Sequence, residues 1–396
     1  MVAPTKHSSL SASSAGKWIY CPPTLWMEEG LPDFTSEYAQ EGTDAHRLAE
    51  LKISLATKKI TKRKYNAEVK KLKENSKFYS QVMEEYTQSH ADLVIEDYNS
   101  LKKSAIFTEQ KVDYGQWAPG GWGTSDAIIV NDDTLSIWDL KYGKGVKVRA
   151  DHNIQLMLYA LGAYYTFGPM YDFSTVRMTI NQPRIGNLST FEMSLGELLD
   201  WGDTVVKPAA DQALNGDGDW DFNRPETWTF YKAAGFDRHL AEKNLEIRKY
   251  KFKEANALTS QEVADILDQA PQIRKWLDKV ELYALTQILD EGKEIPGYKV
   301  VAGRSRRVIS DQVAAAQVLE NSGFKDIYTD PTLKNITSLE KEVGKKKFEE
   351  LLGDLLYKPE GKPTVVEDSD KRPALNKLQQ AQNDFKNFDD TKEEEK

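Results

Sequence analysis

Apolar residues recur along the chain at two different periods, and each period predicts a different kind of element. Leu48, Leu51 and Leu55 repeat at helical spacing behind Thr43, which can serve as N-cap, and Asp44, which suits the positive first turn. A helix is therefore predicted from Thr43. Residues 65–103 also read as helical and end before an extended segment, Ile106 to Val112. The middle of the chain changes period. Thr124-Ser125-Asp126-Ala127-Ile128-Ile129-Val130 has the β-branched content of a strand, approached through Gly120-Gly121-Trp122-Gly123. Leu135-Ser136-Ile137-Trp138-Asp139-Leu140-Lys141 alternates with period two, and Asn131-Asp132-Asp133 is the turn that joins the pair into a hairpin. Beyond Gly143 and Gly145, a helix is predicted from about Asn153 to Phe167, followed by a third extended segment, Thr175 to Asn181. Helix, strands, helix and strand in this order predict an α/β core.

The flanks are less regular. Residues 1–15 are rich in Ser and Ala and read as loose, with Ser11 to Ser14 placed to cap a helix through Trp18 and Tyr20. Trp201 to Trp228 reads as loop-rich around Gly216-Asp217-Gly218-Asp219. From Ala241 to Asp290 the pattern is helical, with breaks expected near Ser260 and Pro271; Gly297 to Val301 is a short strand, and further helices fill 311–356. The expected organisation is a first domain over 1–240, a mainly α-helical domain over 241–375, and an acidic, disordered tail over 376–396.

Composition narrows the class. Of 396 residues, 40% are hydrophobic and 29% charged, as in ordinary globular proteins. No apolar run approaches the ~20 residues that span a bilayer. Met1 to His7 lacks the apolar stretch of a secretion signal, and the single cysteine, Cys21, can form neither an internal disulfide nor a metal cluster alone. A cytoplasmic protein with no membrane partner is expected. Net charge −9 does not fit a chain that coats nucleic acid non-specifically, although a local basic channel would suffice for an enzyme. One basic run exists: Lys58, Lys59, Lys62, Arg63, Lys64, Lys70, Lys71 and Lys73, interrupted by Glu68. It reads either as a solvated helical face or as a strip for a phosphate backbone. Arg304, Arg306, Arg307 and Lys345 to Lys347 stand among enough acidic residues that no DNA-binding role is assigned to residues 241–396.

The hairpin carries the chemistry. Asp139 and Lys141 are two apart on one strand and share a face, while Asp126 on the partner strand can come opposite them. Converging carboxylates repel unless a cation lies between them, and hard oxygen ligands suit Mg²⁺ or Mn²⁺. A lysine beside such a cation can orient a water and stabilise charge on a phosphate. Asp-x-Lys alone is better read as a surface ion pair. Gln155 and Tyr159, i and i+4 on the next helix, share the face that packs back over the hairpin.

In order, Gly123-x-x-Asp126, Asp139-Leu140-Lys141-Tyr142-Gly143 and Gln155-Leu156-x-x-Tyr159-Ala160 resemble the motif series of the RecB-like PD-(D/E)XK nucleases. The resemblance implies a restriction-endonuclease-like core, a mixed sheet flanked by helices. It implies that Asp126, Asp139 and the Leu140 carbonyl hold metal, that Lys141 is catalytic, and that Gln155 and Tyr159 contact substrate or brace the site. It further matches His46, in Glu41-Gly42-Thr43-Asp44-Ala45-His46, to a metal-ligating histidine, and Glu109 to an acidic position before the hairpin. Ser11-x-x-Ser14-Ala15-x-x-Trp18-x-x-Cys21-Pro22 and the late run from Lys358 to Pro373 resemble an uncharacterised phage and prophage family with this core. Relatives of that type carry a cysteine at the Cys21 position and three more after the core, together holding an iron–sulfur cluster. Here the later segment reads Trp228-Thr229-Phe230-Tyr231-Lys232 and Asp237-Arg238, so no such cluster is expected; Trp228 and Tyr231 are expected to pack near Cys21 instead. Two functions follow. One is a Mg²⁺- or Mn²⁺-dependent deoxyribonuclease, an exonuclease or end-processing enzyme of phage replication or recombination in a bacterial host. The other is a DNA-binding scaffold that recruits a single-strand-binding or annealing partner.

Overall fold

Five strands form one sheet: β1 (Ala105–Asp113), β2 (Trp122–Val130), β3 (Thr134–Leu140), β4 (Thr175–Gln182) and β5 (Asn187–Ser194), in that order across it. The computed structural model that displays them describes residues 8–32, 37–246, 258–303, 307–324, 327–329, 332–334, 336–358, 363–367 and 369–375. Residues 1–7, Arg304, Arg306 and the expected tail over 376–396 lie outside that set. By its contacts the chain divides into two units, Met1–Ile273 and Arg274–Lys396.

Strands β1–β2, β2–β3 and β4–β5 pair antiparallel, and β3–β4 pairs parallel, so the sheet is mixed. Helices α1 (Ala15–Tyr20), α2 (Thr24–Met27), α3 (Glu37–Ala56), α4 (Lys62–Asn75) and α5 (Gln81–Ser100) precede it. Helix α6 (Ile154–Phe167) joins β3 to β4, because parallel neighbours need a crossover. Helices α7 (Leu195–Trp201), α8 (Lys207–Asn215), α9 (Pro225–Trp228) and α10 (Arg238–Leu245) follow.

Alternation along β2 decides which helix each residue meets. Ile128 and Val130, with Leu135, Ile137, Val176, Met178 and Ile180, pack with Leu156 and Leu161 of α6. Ala127 and Ile129, with Ile106 and Trp138, pack with Ile53 of α3 and Ala91 and Val94 of α5. Strand β3 is buried at every position, as a strand covered on both faces must be. The crossover brings the N-terminus of α6 to the carboxyl end of β3, the end of an open α/β sheet where ligands bind. Lys141 and Gln155 meet there.

Several local expectations change. Helix α3 starts at Glu37, so Thr43 is not its cap; its hydroxyl donates back to the Ala39 carbonyl at 3.0 Å. Asp44, far from a first turn, accepts from Gln40 and from the Ser76 hydroxyl. The helical stretch read over residues 65–103 consists of α4 and α5. Ser76 ends α4, and Ser80 starts α5 by accepting from the Met83 amide at 3.2 Å. Ser14 is the N-cap residue of α1 but makes no side-chain cap bond; its hydroxyl meets that of Ser11 at 2.8 Å. Strand β5 was not expected, and the supposed loop after Trp201 contains α8, buried through Ala209, Ala210 and Ala213. Pro271 lies within the continuous helix α11 (Ser260–Leu289) and does not interrupt it.

In the second unit, α12 (Gln312–Asn321), α13 (Ile336–Val343) and α14 (Lys345–Leu352) enclose a core of Ala315, Leu319, Leu339, Phe348 and Leu352. Arg307 ties α13 to α14 through Glu340 and Glu349.

Candidate metal centre

Five elements, α3, β1, β2, β3 and α6, supply the cluster at the carboxyl end of β3. Asp126 lies one step beyond the Ala127–Trp138 pair of the β2–β3 ladder, opposite Asp139. Its Oδ1 stands 3.0 Å from Nδ1 of His46 on α3, and its Oδ2 accepts from the Leu140 backbone N–H at 2.7 Å. Leu140, whose carbonyl the resemblance assigns to metal, thus contacts Asp126 through its amide. On the other side Asp126 faces Glu109, which falls between the Thr108–Ala127 and Gln110–Ser125 pairs of β1–β2. Glu109 has φ +47°, a left-handed conformation that costs a side-chain-bearing residue ~1–2 kcal/mol. His46, Glu109 and Asp126 each offer a ligand atom, all within 4.8 Å of one another.

Beside this triad runs a second chain of contacts. Lys141 Nζ donates to Asp139 Oδ1 at 3.1 Å and to Gln155 Oε1 at 2.9 Å, and Gln155 Nε2 donates to the Tyr159 hydroxyl at 2.9 Å. The Lys141 ammonium also lies 3.0 Å from Asp139 Oδ2, yet that buried oxygen accepts no hydrogen bond among the described residues. Gly123 permits the arrangement: a Cβ there would stand 2.7 Å from the Tyr159 ring. Asp139 is therefore held by Lys141 rather than grouped with His46, Glu109 and Asp126.

The charges of the cluster act on one another. Burial opposes a charged His46, but the touching Asp126 carboxylate, then Asp139, raise it to about 9. Burial would raise Asp126; His46, the Leu140 amide and Lys141 hold it below the usual carboxylate range. Asp139 is shifted up by burial despite Lys141. Enclosure by the cleft and then the Asp126 charge push Glu109 up to about 7, although the residue as a whole is exposed. His46 and Lys141 thus bring positive charge against the Asp126 and Asp139 carboxylates.

Some contributors carried no sequence signal. Arg184, just after β4, donates to Glu41 of α3 at 2.8 Å and lies 4.7 Å over the Tyr142 ring, tying the His46 helix to the strand end that bears Lys141. His90 of α5, 1% exposed, stands 3.1 Å from the Asn181 amide nitrogen and edge-on to Trp138. Burial lowers it to about 4, so its ring is neutral. The basic run on and before α4 is partly committed within the fold. Lys59 reaches the Ile106 carbonyl, Lys71 and Lys70 pair with Glu68 and Glu74, and Lys73 covers Tyr79; Lys62, Arg63 and Lys64 are exposed.

The segment after the core does return to Cys21. Cys21 is fully buried, its thiol pushed up to about 12 by burial, with Asp221 and Asp237 adding negative field. Tyr231 is also fully buried, donates to Asp237 and packs its ring 5.5 Å from Phe222. Glu28 completes the closure by accepting from Lys17 and from the Lys232 amide. Helix α9 lies so close to α1 that a Cβ on Gly16 would stand 2.7 Å from Glu226 Cβ. Trp228, expected to share the plug, is only half-buried. The join is thus polar as well as aromatic.

The model of a protein family described as of unknown function, DUF2800, matches the chain from residue 7 to residue 373. It takes in the whole sheet, the cluster at the end of β3 and most of the second unit. The chain belongs to the DUF2800 family.

Proposed function

We propose that the protein is a divalent-metal-dependent deoxyribonuclease with a RecB-like PD-(D/E)XK core. The observation that carries this reading is the convergence of the His46, Glu109 and Asp126 ligand atoms within 4.8 Å, beside the Lys141–Gln155–Tyr159 chain. The donor set fits a hard or borderline cation: two carboxylates with one imidazole, and beside them a buried Asp139 oxygen that accepts no hydrogen bond among the described residues. A bound Mg²⁺ or Mn²⁺ supplies Lewis-acid polarisation of a phosphate oxygen and a more acidic water. His46 would hold the ion through its neutral imidazole, so binding would release a proton. Asp126 holds its ligand geometry through the Leu140 amide. Lys141, fixed by Asp139 and Gln155, presents its ammonium to a phosphate oxygen and stabilises the negative charge that grows there. Tyr159 holds the Gln155 amide and so fixes the orientation of Lys141.

A scaffold that merely binds DNA has no need of such a set. Buried charged groups are costly even when paired, as Asp126 is with His46 and Asp139 with Lys141. Among the described residues no helix is long and apolar enough to cross a membrane. Titration calorimetry with Mn²⁺ tests the metal site. Binding with proton release is expected for the native chain, and a loss of at least ~10-fold in affinity for Asp126→Ala. Equal affinity in both proteins would remove Asp126 from the ligand set.

A further inference from the structure

Between Lys141 and α6 runs a loop that the metal centre does not use. Residues 143–147 are all exposed, as is Arg149, and Val146 is 86% exposed. Lys144, Lys147 and Arg149 give this short segment three positive charges, and none forms an ion pair among the described residues. An exposed cationic segment without secondary structure is ordinarily mobile. This one is locked from below.

Gln182, at the end of β4, is 3% exposed and behaves like a peptide group toward the loop. Its Oε1 accepts from the Val148 N–H at 2.7 Å, and its Nε2 donates to the Val146 carbonyl at 3.2 Å. Asn187, 4% exposed and its ladder partner on β5, donates to the Val148 carbonyl at 2.8 Å and to Gln182 Oε1 at 2.7 Å. Ser189 accepts from the Ala150 N–H at 3.0 Å, and Asn153 donates to the Arg149 carbonyl at 3.2 Å while capping α6. Buried amides therefore fix backbone on both sides of Lys147. Burying two amide side chains is unfavourable unless every polar atom is matched, and here the matching partners belong to the loop. The arrangement commits polar burial to the shape of a segment that reaches the core only through Val148 and Ala150.

A fixed row of unpaired cations suits a ligand that carries charge at regular intervals. Lys144 lies three residues beyond Lys141, so the two backbones are at most ~11 Å apart. We infer that residues 143–150 form a preshaped cationic loop that grips nucleic-acid backbone phosphates next to the one at Lys141, with Gln182 and Asn187 as its positioning residues. The inference rests on the proposed nuclease reading. Preorganisation removes the ordering cost that flexible lysines would incur on binding.

The test is fluorescence anisotropy of the full chain with labelled single-stranded and duplex oligonucleotides in EDTA, across a salt series. The triple variant K144Q/K147Q/R149Q should bind about 10-fold or more weakly near 50 mM salt. Its slope of log affinity against log salt should fall by about two on single strands, at ~0.7 for each phosphate that is no longer neutralised. Mn²⁺ titration of this variant should match the native chain, because none of the three residues touches the centre. Gln182→Ala should lose part of the same slope with Mn²⁺ affinity unchanged, an effect that simple destabilisation would not produce. Native slope and affinity in the triple variant, while the native chain binds DNA, would overturn the loop assignment and leave the nuclease reading standing. A native slope in Gln182→Ala alone would overturn the positioning role. A native chain that binds no DNA at all would sink the nuclease reading and the inference with it.

Discussion

Truncating Tyr231 should cost the first unit more than any other change in the segment that closes over Cys21. The ring is fully buried against Phe222, its hydroxyl donates to Asp237, and Asp237 is itself 1% exposed. Tyr231→Ala removes a whole aromatic side chain from a closed site, a loss of ~3–5 kcal/mol. Tyr231→Phe keeps the ring but leaves Asp237 Oδ2 without its donor; stranding a buried acceptor costs ~1–3 kcal/mol. Trp228 keeps part of its ring in solvent, so Trp228→Ala should cost less than the tyrosine truncation. Urea unfolding followed by tryptophan fluorescence reads these differences. With a slope of ~2–3 kcal/mol/M, Tyr231→Ala should lower the midpoint by ~1–2 M and Tyr231→Phe by less. A cost under ~1 kcal/mol for Tyr231→Ala, or a larger one for Trp228→Ala, would refute the reasoning. Stoichiometric iron in the purified protein would contradict it independently.

Glu109 should trade stability against metal binding. Glu109→Gly relieves a left-handed backbone, so stability should hold or rise by up to ~1 kcal/mol while Mn²⁺ affinity falls about 10-fold or more; a stable variant with native affinity would remove Glu109 from the site. His90 should make stability pH-dependent. Its folded value of about 4 lies below the ~6.5 of an unfolded histidine, so the unfolded state binds the extra proton between them. The contribution of the neutral ring is complete above pH ~6.5 and is lost as pH falls toward 4, by up to ~3 kcal/mol. Denaturation of the native chain and His90→Gln across that window should therefore converge at low pH, and parallel curves would show that His90 is not the group responsible.

Legibility in the sequence follows the locality of the signal. The β2–β3 hairpin and α6 are readable because β-branched alternation, an Asn-Asp-Asp turn and helical spacing are all local, and the spacing of Asp126, Asp139, Lys141, Gln155 and Tyr159 follows from them. The start of α3 is misplaced because Thr43 is a good cap that the helix simply runs past. The break between α4 and α5 is hidden because it depends on Ser76 reaching Asp44, 32 residues away. Strand β5 alternates only weakly, with Leu188 exposed and Asn187 buried, against the usual pattern. The roles of Arg184, His90, Gln182 and Asn187 exist only through partners distant in the chain. Glu109 is identifiable as an acidic position, but its left-handed backbone is not.

The central claim, a metal-dependent nuclease centred on Asp126, Asp139 and Lys141, is tested most directly by cleavage of end-labelled single- and double-stranded DNA with Mg²⁺, Mn²⁺ or EDTA. The native chain should cut with either metal and fall silent in EDTA. Asp126→Ala and Asp139→Ala, purified in parallel, should lose cleavage, and Lys141→Ala should lose turnover while still binding Mn²⁺. Cleavage that survives EDTA, or that persists in these variants at the native rate, would contradict the account.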